Sequence, residues 1–298
     1  MYCEYFGFAK RPFELTPDPS FLYLGEAHRE GLATLVYGVR SGKGFVLITG
    51  EVGTGKTTLL HALLGQLDSS TASAFIFNPR LEPLDFFHVL FEELGIETPC
   101  QTKADYLLAL NKFLIERLEK NEPTLLIIDE AQNLSIEMLE EIRLLSNLET
   151  PTSKLIQIML VGQPELKELL ARPELRQLRQ RIGLRHHLRP FDDKEIREYV
   201  GERLTRAGYT GKGLFKRGAL RELYAVTGGT PRLVNSVCDS ALLLAYSQQK
   251  RVLDAALIRE VADEMELVPE DVQPARSATN GRGEESVKPR RGWLGLFR

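Results

Sequence analysis

The stretch GEVGTGKTT, residues 50–58, decides the fold of this chain. It matches the pattern G-x-x-x-x-G-K-[ST], in which glycines let backbone N–H groups turn inward around phosphate oxygens. The run GFVLIT before it is continuously apolar and predicts a strand that is buried on both faces, and TTLLHALLGQL after it predicts a helix. A glycine turn between a buried strand and a helix N-terminus is the context that a phosphate-binding loop requires.

Residues 50–58, called the phosphate loop below, are the predicted nucleotide-binding segment. Lys56 is expected to neutralise the β- and γ-phosphates, and Thr57 is expected to supply a hydroxyl ligand to Mg²⁺. The full set of loop residues is Gly50, Glu51, Val52, Gly53, Thr54, Gly55, Lys56, Thr57 and Thr58. A glycine turn with a chance lysine is the alternative, and it is disfavoured because the pattern and its context agree.

An acidic pair ends a second apolar strand in LLIIDEAQ, residues 125–132. Ligands of open α/β sheets bind at the carboxyl ends of the strands. Asp129 is therefore expected to hold Mg²⁺, mostly through water. Glu130 follows directly and is suited to polarise an attacking water as a general base. An acidic helix N-cap is the simpler alternative for this pair.

A polar residue also follows the next predicted strand. The run KLIQIMLVG, residues 154–162, is followed by Gln163. We expect this strand to lie beside the one that carries Asp129, so that the Gln163 amide reaches the γ-phosphate or the attacking water. Capping of the following helix is the alternative role for this glutamine.

An arginine-rich stretch, LLARPELRQLRQRIGLRHHLRP, follows at residues 169–190. As a helix, its central part places Leu175, Leu178 and Ile182 on one apolar face. Three arginines lie largely outside that face, namely Arg176, Arg179 and Arg181. They are open to three roles: a nucleic-acid contact, a solvated basic face, or an arginine that enters a neighbouring subunit's site. His186 and His187 are expected to be packing and surface residues.

A further charged candidate begins a helix in the C-terminal part of the chain. Two glycines precede Thr230-Pro231-Arg232, in which Thr230 fits an N-cap and Pro231 fits a first helical turn. An arginine in that turn can move onto the phosphates as a helical domain closes over the nucleotide, and such closure excludes water. An ordinary exposed arginine at a helix start is the alternative for Arg232.

The order of the predicted elements indicates the fold class. Strands alternate with helices as far as Pro190, which is typical of an α/β fold with a doubly wound parallel sheet. After Pro190 the strand signal ends and four helical segments follow. The predicted units are an N-terminal segment packing on the nucleotide domain (1–40), an α/β core (41–190), a small all-helical lid domain (191–267) and a disordered tail (268–298).

The composition limits the class of protein. Of 298 residues, 43% are hydrophobic and 27% are charged, and the formal net charge is −3, which argues against a protein that coats nucleic acid over its whole surface. Three scattered cysteines favour a reducing compartment. No apolar run reaches the roughly 18–20 residues of a membrane span, and the N-terminus lacks the apolar region of a signal peptide. A cytoplasmic location is therefore expected.

Six blocks, collinear over roughly residues 1–265, resemble a known family. They are PFELTPDPSFLYLGEAHREGL, GFVLITGEVGTGKTTLL, LLIIDEAQNL, LVGQPEL, LRQRIGLRHHLRP and TGGTPRLVNSVCD. Together they look like the AAA+ ATPases of the general secretion pathway protein A type, which are P-loop NTPases. The phosphate loop and the acidic block are generic, whereas the first and the last block are much more specific.

The resemblance implies ATP hydrolysis with Mg²⁺ by an oligomer, either a ring or a dimer, and it assigns roles to residues already singled out. By this resemblance, Lys56 and Thr57 would be the Walker A pair, and Asp129 and Glu130 the Walker B pair. Gln163 would be the sensor 1 residue, Arg181 the arginine finger and Arg232 the sensor 2 residue. Gln163 departs from the Asn or Thr that is common at sensor 1. Arg176 and Arg179 lie close enough to Arg181 to replace it as the finger. The N-terminal block is expected to pack near the adenine.

The resemblance also implies a role in a bacterial envelope export system, of the general secretion, type IV pilus or exopolysaccharide/exosortase type. Longer members continue into a membrane span and a periplasmic peptidoglycan-binding module, and this chain is expected to be a short form without them. A DNA-dependent ATPase of the transposition-regulator type is the alternative, which the acidic net charge disfavours. A scaffold that binds ATP and seldom hydrolyses it is a third candidate, and the Asp129–Glu130 pair argues against it.

The end of the chain combines basic and apolar residues in KPRRGWLGLFR, residues 288–298. Such a segment can dock on an anionic bilayer, here the inner face of the inner membrane, and a single short motif gives only marginal, reversible binding. It can equally bind a protein partner or have no role.

Overall fold

A five-stranded parallel sheet forms the centre of the nucleotide domain, as the alternating pattern predicted. The computed structural model describes residues 1–16, 21–77 and 81–267. The strands are β1 (Phe45–Gly50), β2 (Ala72–Ile76), β3 (Thr124–Ile128), β4 (Gln157–Gly162) and β5 (Ile182–Leu188). Their order is β2-β3-β4-β1-β5, and every pairing is parallel. The carboxyl ends of β1, β3 and β4 therefore lie side by side at one edge.

Eight α-helices lie in the described residues up to Pro190, and all of them except α1 pack on the sheet. They are α1 (Tyr2–Phe6), α2 (Glu26–Arg40), α3 (Lys56–Leu64), α4 (Pro83–Leu94), α5 (Lys103–Glu119), α6 (Ile136–Leu145), α7 (Glu165–Ala171) and α8 (Arg176–Arg181). Alternate residues of the strands face opposite sides of the sheet. Leu126 and Leu160 pack in a core with α4 to α8, whereas Ile127 and Val161 pack in a second core with α2 and α3. The two buried faces explain the continuously apolar strands.

The helical domain consists of four helices after Pro190, in agreement with the predicted segments. They are α9 (Asp193–Arg206), α10 (Arg217–Thr227), α11 (Pro231–Ser247) and α12 (Ala255–Glu264). Asp192 caps α9 in a capping box with Glu195. Thr230 occupies the N-cap position of α11, but its side chain makes no capping hydrogen bond. The backbone N–H of Phe191 donates to the Gly229 carbonyl at 3.0 Å, which joins the start of this domain to the turn before α11.

The N-terminal segment is divided between the two domains, which differs in part from the predicted packing. Apolar residues of α2 pack on the sheet, but five aromatic side chains before α2 lie in the core of the helical domain: Tyr2, Phe6, Phe8, Phe13 and Phe21. Arg203 of α9 holds this part of the chain by donating to the Pro12 carbonyl at 2.6 Å. The apolar pattern indicated burial without indicating which surface covers the rings.

Membrane association through the C-terminal tail stays a prediction, because residues 268–298 lie outside the described residues. Within the described part of the chain, no helix is long and apolar enough to cross a membrane.

Candidate nucleotide-binding site

The phosphate loop joins β1 to α3 and contains two glycines in the left-handed region. Gly53 has φ +78° and Gly55 has φ +95°, a conformation that side chains of L-residues disfavour. A Cβ atom at Gly55 would lie 2.9 Å from His28 Nε2, and one at Gly53 would lie 2.7 Å from Arg232 Cβ. The loop therefore requires glycine both for its backbone conformation and for the closeness of its neighbours.

Lys56 lies in the first turn of α3 and is 7% exposed. Its Nζ atom donates to the carbonyl oxygens of Gly50 at 2.8 Å and Glu51 at 3.0 Å. Burial lowers the pKa of Lys56, and the negative charges of Glu130 and Asp129 oppose that shift. The loop thus holds a desolvated cation where the motif predicted the phosphate-neutralising lysine.

Thr57, in the first turn of α3, contacts Asp129, which directly follows β3. Thr57 Oγ1 donates to Asp129 Oδ2 at 3.3 Å. Asp129 is 5% exposed, and burial raises the pKa of its carboxyl group. A hydroxyl and a carboxylate are oxygen ligands of the kind that Mg²⁺ accepts, with water and phosphate oxygens as its other ligands. The donor set of this pair fits Mg²⁺.

Glu130 follows Asp129 in a left-handed conformation, with φ +52°. Its Oε2 atom accepts hydrogen bonds from Gln132 Nε2 at 2.5 Å and from Gln163 Nε2 at 3.2 Å. Because β3 and β4 are neighbours, Gln163 reaches the acidic pair, as the order of the strands requires. The predicted base and the predicted sensor residue are in direct contact.

Gln132 belongs to the same network, and the sequence analysis gave it no role. Its Oε1 atom accepts a hydrogen bond from the backbone N–H of Gln163 at 3.1 Å. A Cβ atom at Gly162 would lie 2.5 Å from Oε1, so the small residue at the end of β4 makes room for the amide. The only available signal was a polar residue two positions after Glu130.

Arg232 lies against the phosphate loop from the side of the helical domain. Its backbone N–H donates to the Gly53 carbonyl at 3.3 Å, and its side chain is exposed in the first turn of α11. The predicted sensor residue is therefore next to the loop.

The arginine side chains of residues 169–190 make no hydrogen bond to the phosphate loop within the described residues, although β5 of this stretch pairs with β1 as far as Gly50. Arg181 Nη1 donates to Ser146 Oγ and, at 3.4 Å, to the Arg143 carbonyl, both at the C-terminal end of α6. Arg179 Nη1 donates to the Ala171 carbonyl at 3.3 Å, and Arg176 is exposed. Leu175, Leu178 and Ile182 are buried in one core, but they do not form the predicted helical face: only Leu178 lies in α8, because Leu175 ends the preceding 3₁₀ turn and Ile182 begins β5.

His28 contacts the phosphate loop, and His186 and His187 lie on β5. His28 is 2% exposed, and its Nε2 atom lies 3.0 Å from the Thr54 carbonyl, to which it donates. Burial lowers the pKa of His28, and its Nδ1 atom has no hydrogen-bond partner. His186 packs against Gly31 of α2, and His187 Nδ1 lies 3.1 Å from Thr49 Oγ1. The sequence analysis included His28 in the N-terminal block without assigning it a role.

The chain is similar in sequence to a family model and to a curated protein. A family model described as an AAA domain matches residues 39–170. General secretion pathway protein A of Aeromonas hydrophila is 43% identical over 249 residues, which are 83% of this chain and 45% of that protein. The chain thus spans less than half the length of this curated relative.

Solved structures with the same fold come from proteins of low sequence identity. The Aeropyrum pernix ORC2 protein in ADPNP–ADP complexes has a TM-score of 0.63 at 20% identity, with 86% of this chain and 71% of that chain covered. The Drosophila ORC bound to DNA has a TM-score of 0.66 at 18% identity, with 88% and 66% covered. The Thermotoga maritima RuvB branch migration motor has a TM-score of 0.51 at 17% identity, with 86% and 75% covered. These similarities show the fold alone.

Proposed function

The chain contains an AAA domain with a P-loop fold and is a relative of general secretion pathway protein A, and from this premise we propose that it binds and hydrolyses ATP with Mg²⁺. The observation that carries the proposal is that polar residues that follow β1, β3 and β4 are hydrogen-bonded to one another. Thr57 Oγ1 donates to Asp129 Oδ2 at 3.3 Å, and Glu130, next in the chain, accepts from Gln163 Nε2 at 3.2 Å. Ligands for a metal, a lysine for phosphates and a base for water then share one edge of the sheet.

Each residue supplies a distinct part of the reaction. The backbone N–H groups of the phosphate loop and Lys56 Nζ bind the phosphate oxygens, and Lys56 leaves the carbonyls of Gly50 and Glu51 to do so. Thr57 and Asp129 would hold Mg²⁺, and the ion would supply positive charge to the phosphate oxygens. Glu130 accepts a proton from the attacking water, and Gln163 orients that water or the γ-phosphate.

The helical domain contributes Arg232. Its backbone N–H contacts the Gly53 carbonyl, so a small movement of α11 brings the guanidinium toward the phosphates. Closure of this domain then excludes water from the γ-phosphate and completes the site. This is the role we propose for Arg232, as sensor 2.

A second copy of the chain completes the site in this proposal. Arg181 is bonded within its own chain to the end of α6, so we assign it to the neighbouring subunit's nucleotide rather than to its own. An arginine supplied in trans stabilises charge that develops in the transition state. The functional unit is accordingly a homo-oligomer, a ring or a dimer.

The biological role we propose is the assembly or regulation of a bacterial envelope export system, with the chain on the cytoplasmic side. The similarity to general secretion pathway protein A supports this role, and the choice among the general secretion, type IV pilus and exopolysaccharide pathways follows from the partner that the protein binds.

The test is Mg²⁺-dependent ATP hydrolysis by the purified chain and two variants. Lys56→Ala should lose nucleotide binding, because Lys56 supplies the cation at the phosphates. Glu130→Gln should retain ATP binding while turnover falls about 10²- to 10⁴-fold, since the amide cannot accept the proton from water. Equilibrium binding of a fluorescent ATP analogue and steady-state phosphate release measure the two quantities separately.

Two outcomes would contradict the proposal. Wild-type turnover in Glu130→Gln would show that Glu130 is not the general base. Turnover without a divalent metal would show that Thr57 and Asp129 are not needed as Mg²⁺ ligands. Stimulation by DNA, together with DNA binding that weakens steeply with salt, would favour the DNA-dependent alternative over the export system.

A further inference from the structure

Gln132 joins the two strand ends that carry the predicted chemistry. Its Nε2 atom donates to Glu130 Oε2 at 2.5 Å, and its Oε1 atom accepts from the Gln163 backbone N–H at 3.1 Å. One amide thus has its donor end on the base that follows β3 and its acceptor end on the residue that follows β4. A residue that only filled space would need neither contact.

We propose that Gln132 is a positioning residue that holds the Glu130 carboxylate in the orientation from which it accepts a proton from the attacking water. This inference rests on the proposed hydrolysis of ATP. Gln132 does not touch the nucleotide in this proposal, and it acts through Glu130.

Glu130 needs such support because little else restrains its side chain. It is only half-buried, its backbone has φ +52°, and its Oε2 atom receives both of the hydrogen bonds that its carboxylate accepts in the described residues. Oε1 is left to accept a hydrogen bond from water. Fixing one carboxylate oxygen while the other faces the reactant is how a base is kept within reach of its proton.

The backbone around Gln132 is built to keep the amide in place. Residues Ala131–Asn133 form a single 3₁₀ turn, and the Asn133 N–H closes it on the Glu130 carbonyl at 2.9 Å. Gly162 leaves the space that Oε1 occupies, since a Cβ atom there would lie 2.5 Å from it. The position of the amide is therefore determined from both β3 and β4.

Replacement of Gln132 is compatible with folding. The side chain borders an open groove of about 430 Å³ that is also lined by Ser135, Glu165 and Glu168. Changing the end of this side chain leaves no cavity in either core of the nucleotide domain. Two variants of similar size then separate the two ends of the amide, Gln132→Glu and Gln132→Met.

The experiment compares these variants with the wild-type chain and with Gln66→Met, a change at an exposed position away from the site. Gln132→Glu keeps an acceptor for the Gln163 N–H but replaces the donor to Glu130 with a like charge. Gln132→Met removes both contacts. Loss of one hydrogen bond to a charged group predicts a fall in kcat of about 10- to 100-fold in Gln132→Met, with a larger fall in Gln132→Glu.

A second measurement does not depend on activity. Hydrogen exchange of the Gln163 backbone N–H in the nucleotide-free protein should be faster in Gln132→Met and stay near the wild-type rate in Gln132→Glu. The Kd for ATP should stay within about twofold of the wild-type value in both variants, because an interaction made only in the transition state changes kcat alone. Gln66→Met should match the wild type in all three measurements.

The outcomes separate this inference from the proposed function. Absence of Mg²⁺-dependent turnover in the wild-type chain would overturn both. Normal wild-type turnover together with an unchanged kcat in Gln132→Glu, or a loss confined to KM, would overturn the positioning role alone. Equal exchange rates of the Gln163 backbone N–H in the two variants would overturn the role of the residue 132 side chain as its acceptor.

Discussion

Side chains at the carboxyl edge of the sheet converge, whereas those of the arginine-rich stretch disperse. At the sheet edge, Asp129 contacts Thr57 of α3, and Glu130 contacts Gln163. The Glu130 backbone N–H donates to Asp129 Oδ1 at 2.9 Å and joins these contacts in one network. In residues 169–190 the arginines bind separate acceptors. Arg179 donates to the Ala171 carbonyl, and Arg181 binds the end of α6. The side chains of the first region contact one another, whereas the arginines of the second region contact separate backbone and side-chain acceptors of their own chain.

This difference indicates what a single chain supplies. In our proposal it provides the phosphate loop, oxygen ligands for a metal and a base, and α11 brings Arg232 next to the loop. No arginine of residues 169–190 makes a described hydrogen bond to the phosphate loop. We therefore expect an isolated chain to bind nucleotide without rapid turnover and a second copy to supply the missing cation.

The largest predicted effect comes from Arg181. In our proposal Arg181→Ala lowers kcat about 10³-fold or more, because an arginine supplied in trans contributes that much to phosphoryl transfer. ATP binding to a single site should change little, since the guanidinium lies on α6 of its own chain. Single-turnover kinetics and equilibrium binding measure the two effects.

Complementation makes the prediction for Arg181 specific to an interface. A mixture of Arg181→Ala and Lys56→Ala chains should recover part of the turnover, because each variant supplies what the other lacks at a shared site. Arg176→Ala is the matched control, since Arg176 is exposed on the same helix. Failure of the mixture to recover turnover, or an equal loss in the control, would count against Arg181 as the finger.

The fold followed from the sequence where a pattern has one structural solution. Strands that alternate with helices favour a parallel sheet with covered faces, and the three continuously apolar runs became β1, β3 and β4, which are buried at every position. The packing of the N-terminal aromatic residues did not follow. Phe13 and Phe21 are apolar in either environment, and only the three-dimensional fit places them in the helical domain.

The site was predictable to the extent that motifs carry it. Lys56, Thr57, Asp129 and Glu130 were predicted from motif spacing and strand context, and the structure brings these four residues close together. Gln132 and His28 were not, because their roles arise from contacts that form only after folding: a hydrogen bond to Gln163, 31 positions away, and one to the Thr54 carbonyl, 26 positions away.

Gly53 gives a smaller effect and tests the link between the phosphate loop and the helical domain. At φ +78°, an alanine is strained by about 1–2 kcal/mol. Its Cβ atom would also lie 2.7 Å from Arg232 Cβ and 3.2 Å from Thr230 Cγ2. Gly53→Ala should therefore lower the free energy of unfolding by about that amount and push α11 away from the loop, weakening ATP binding roughly tenfold.

Gly201→Ala is the matched control for Gly53→Ala. Gly201 lies inside α9, and a Cβ atom there meets nothing within 4 Å. Alanine at that position should be neutral or stabilising by up to about 1 kcal/mol. Chemical denaturation and titration with a fluorescent ATP analogue measure both variants. Unchanged ATP binding in Gly53→Ala would show that the closeness of α11 to the loop does not matter for the nucleotide.

The smallest predicted effect is the pH dependence that His28 gives to the free energy of unfolding. Burial lowers its pKa below the ordinary value of 6.5, so the unfolded chain takes up the proton first as the pH falls. The stabilising contribution of neutral His28 is thus present above pH 6.5 and is lost as the pH falls from there through the folded-state pKa, at about 1.4 kcal/mol per pH unit at most.

Urea denaturation at a series of pH values should show a shallower loss of the free energy of unfolding for His28→Gln than for the wild type. His88→Gln, at an exposed histidine, should keep the wild-type slope. Equal slopes for wild type and His28→Gln would mean that protonation of His28 does not destabilise the folded chain.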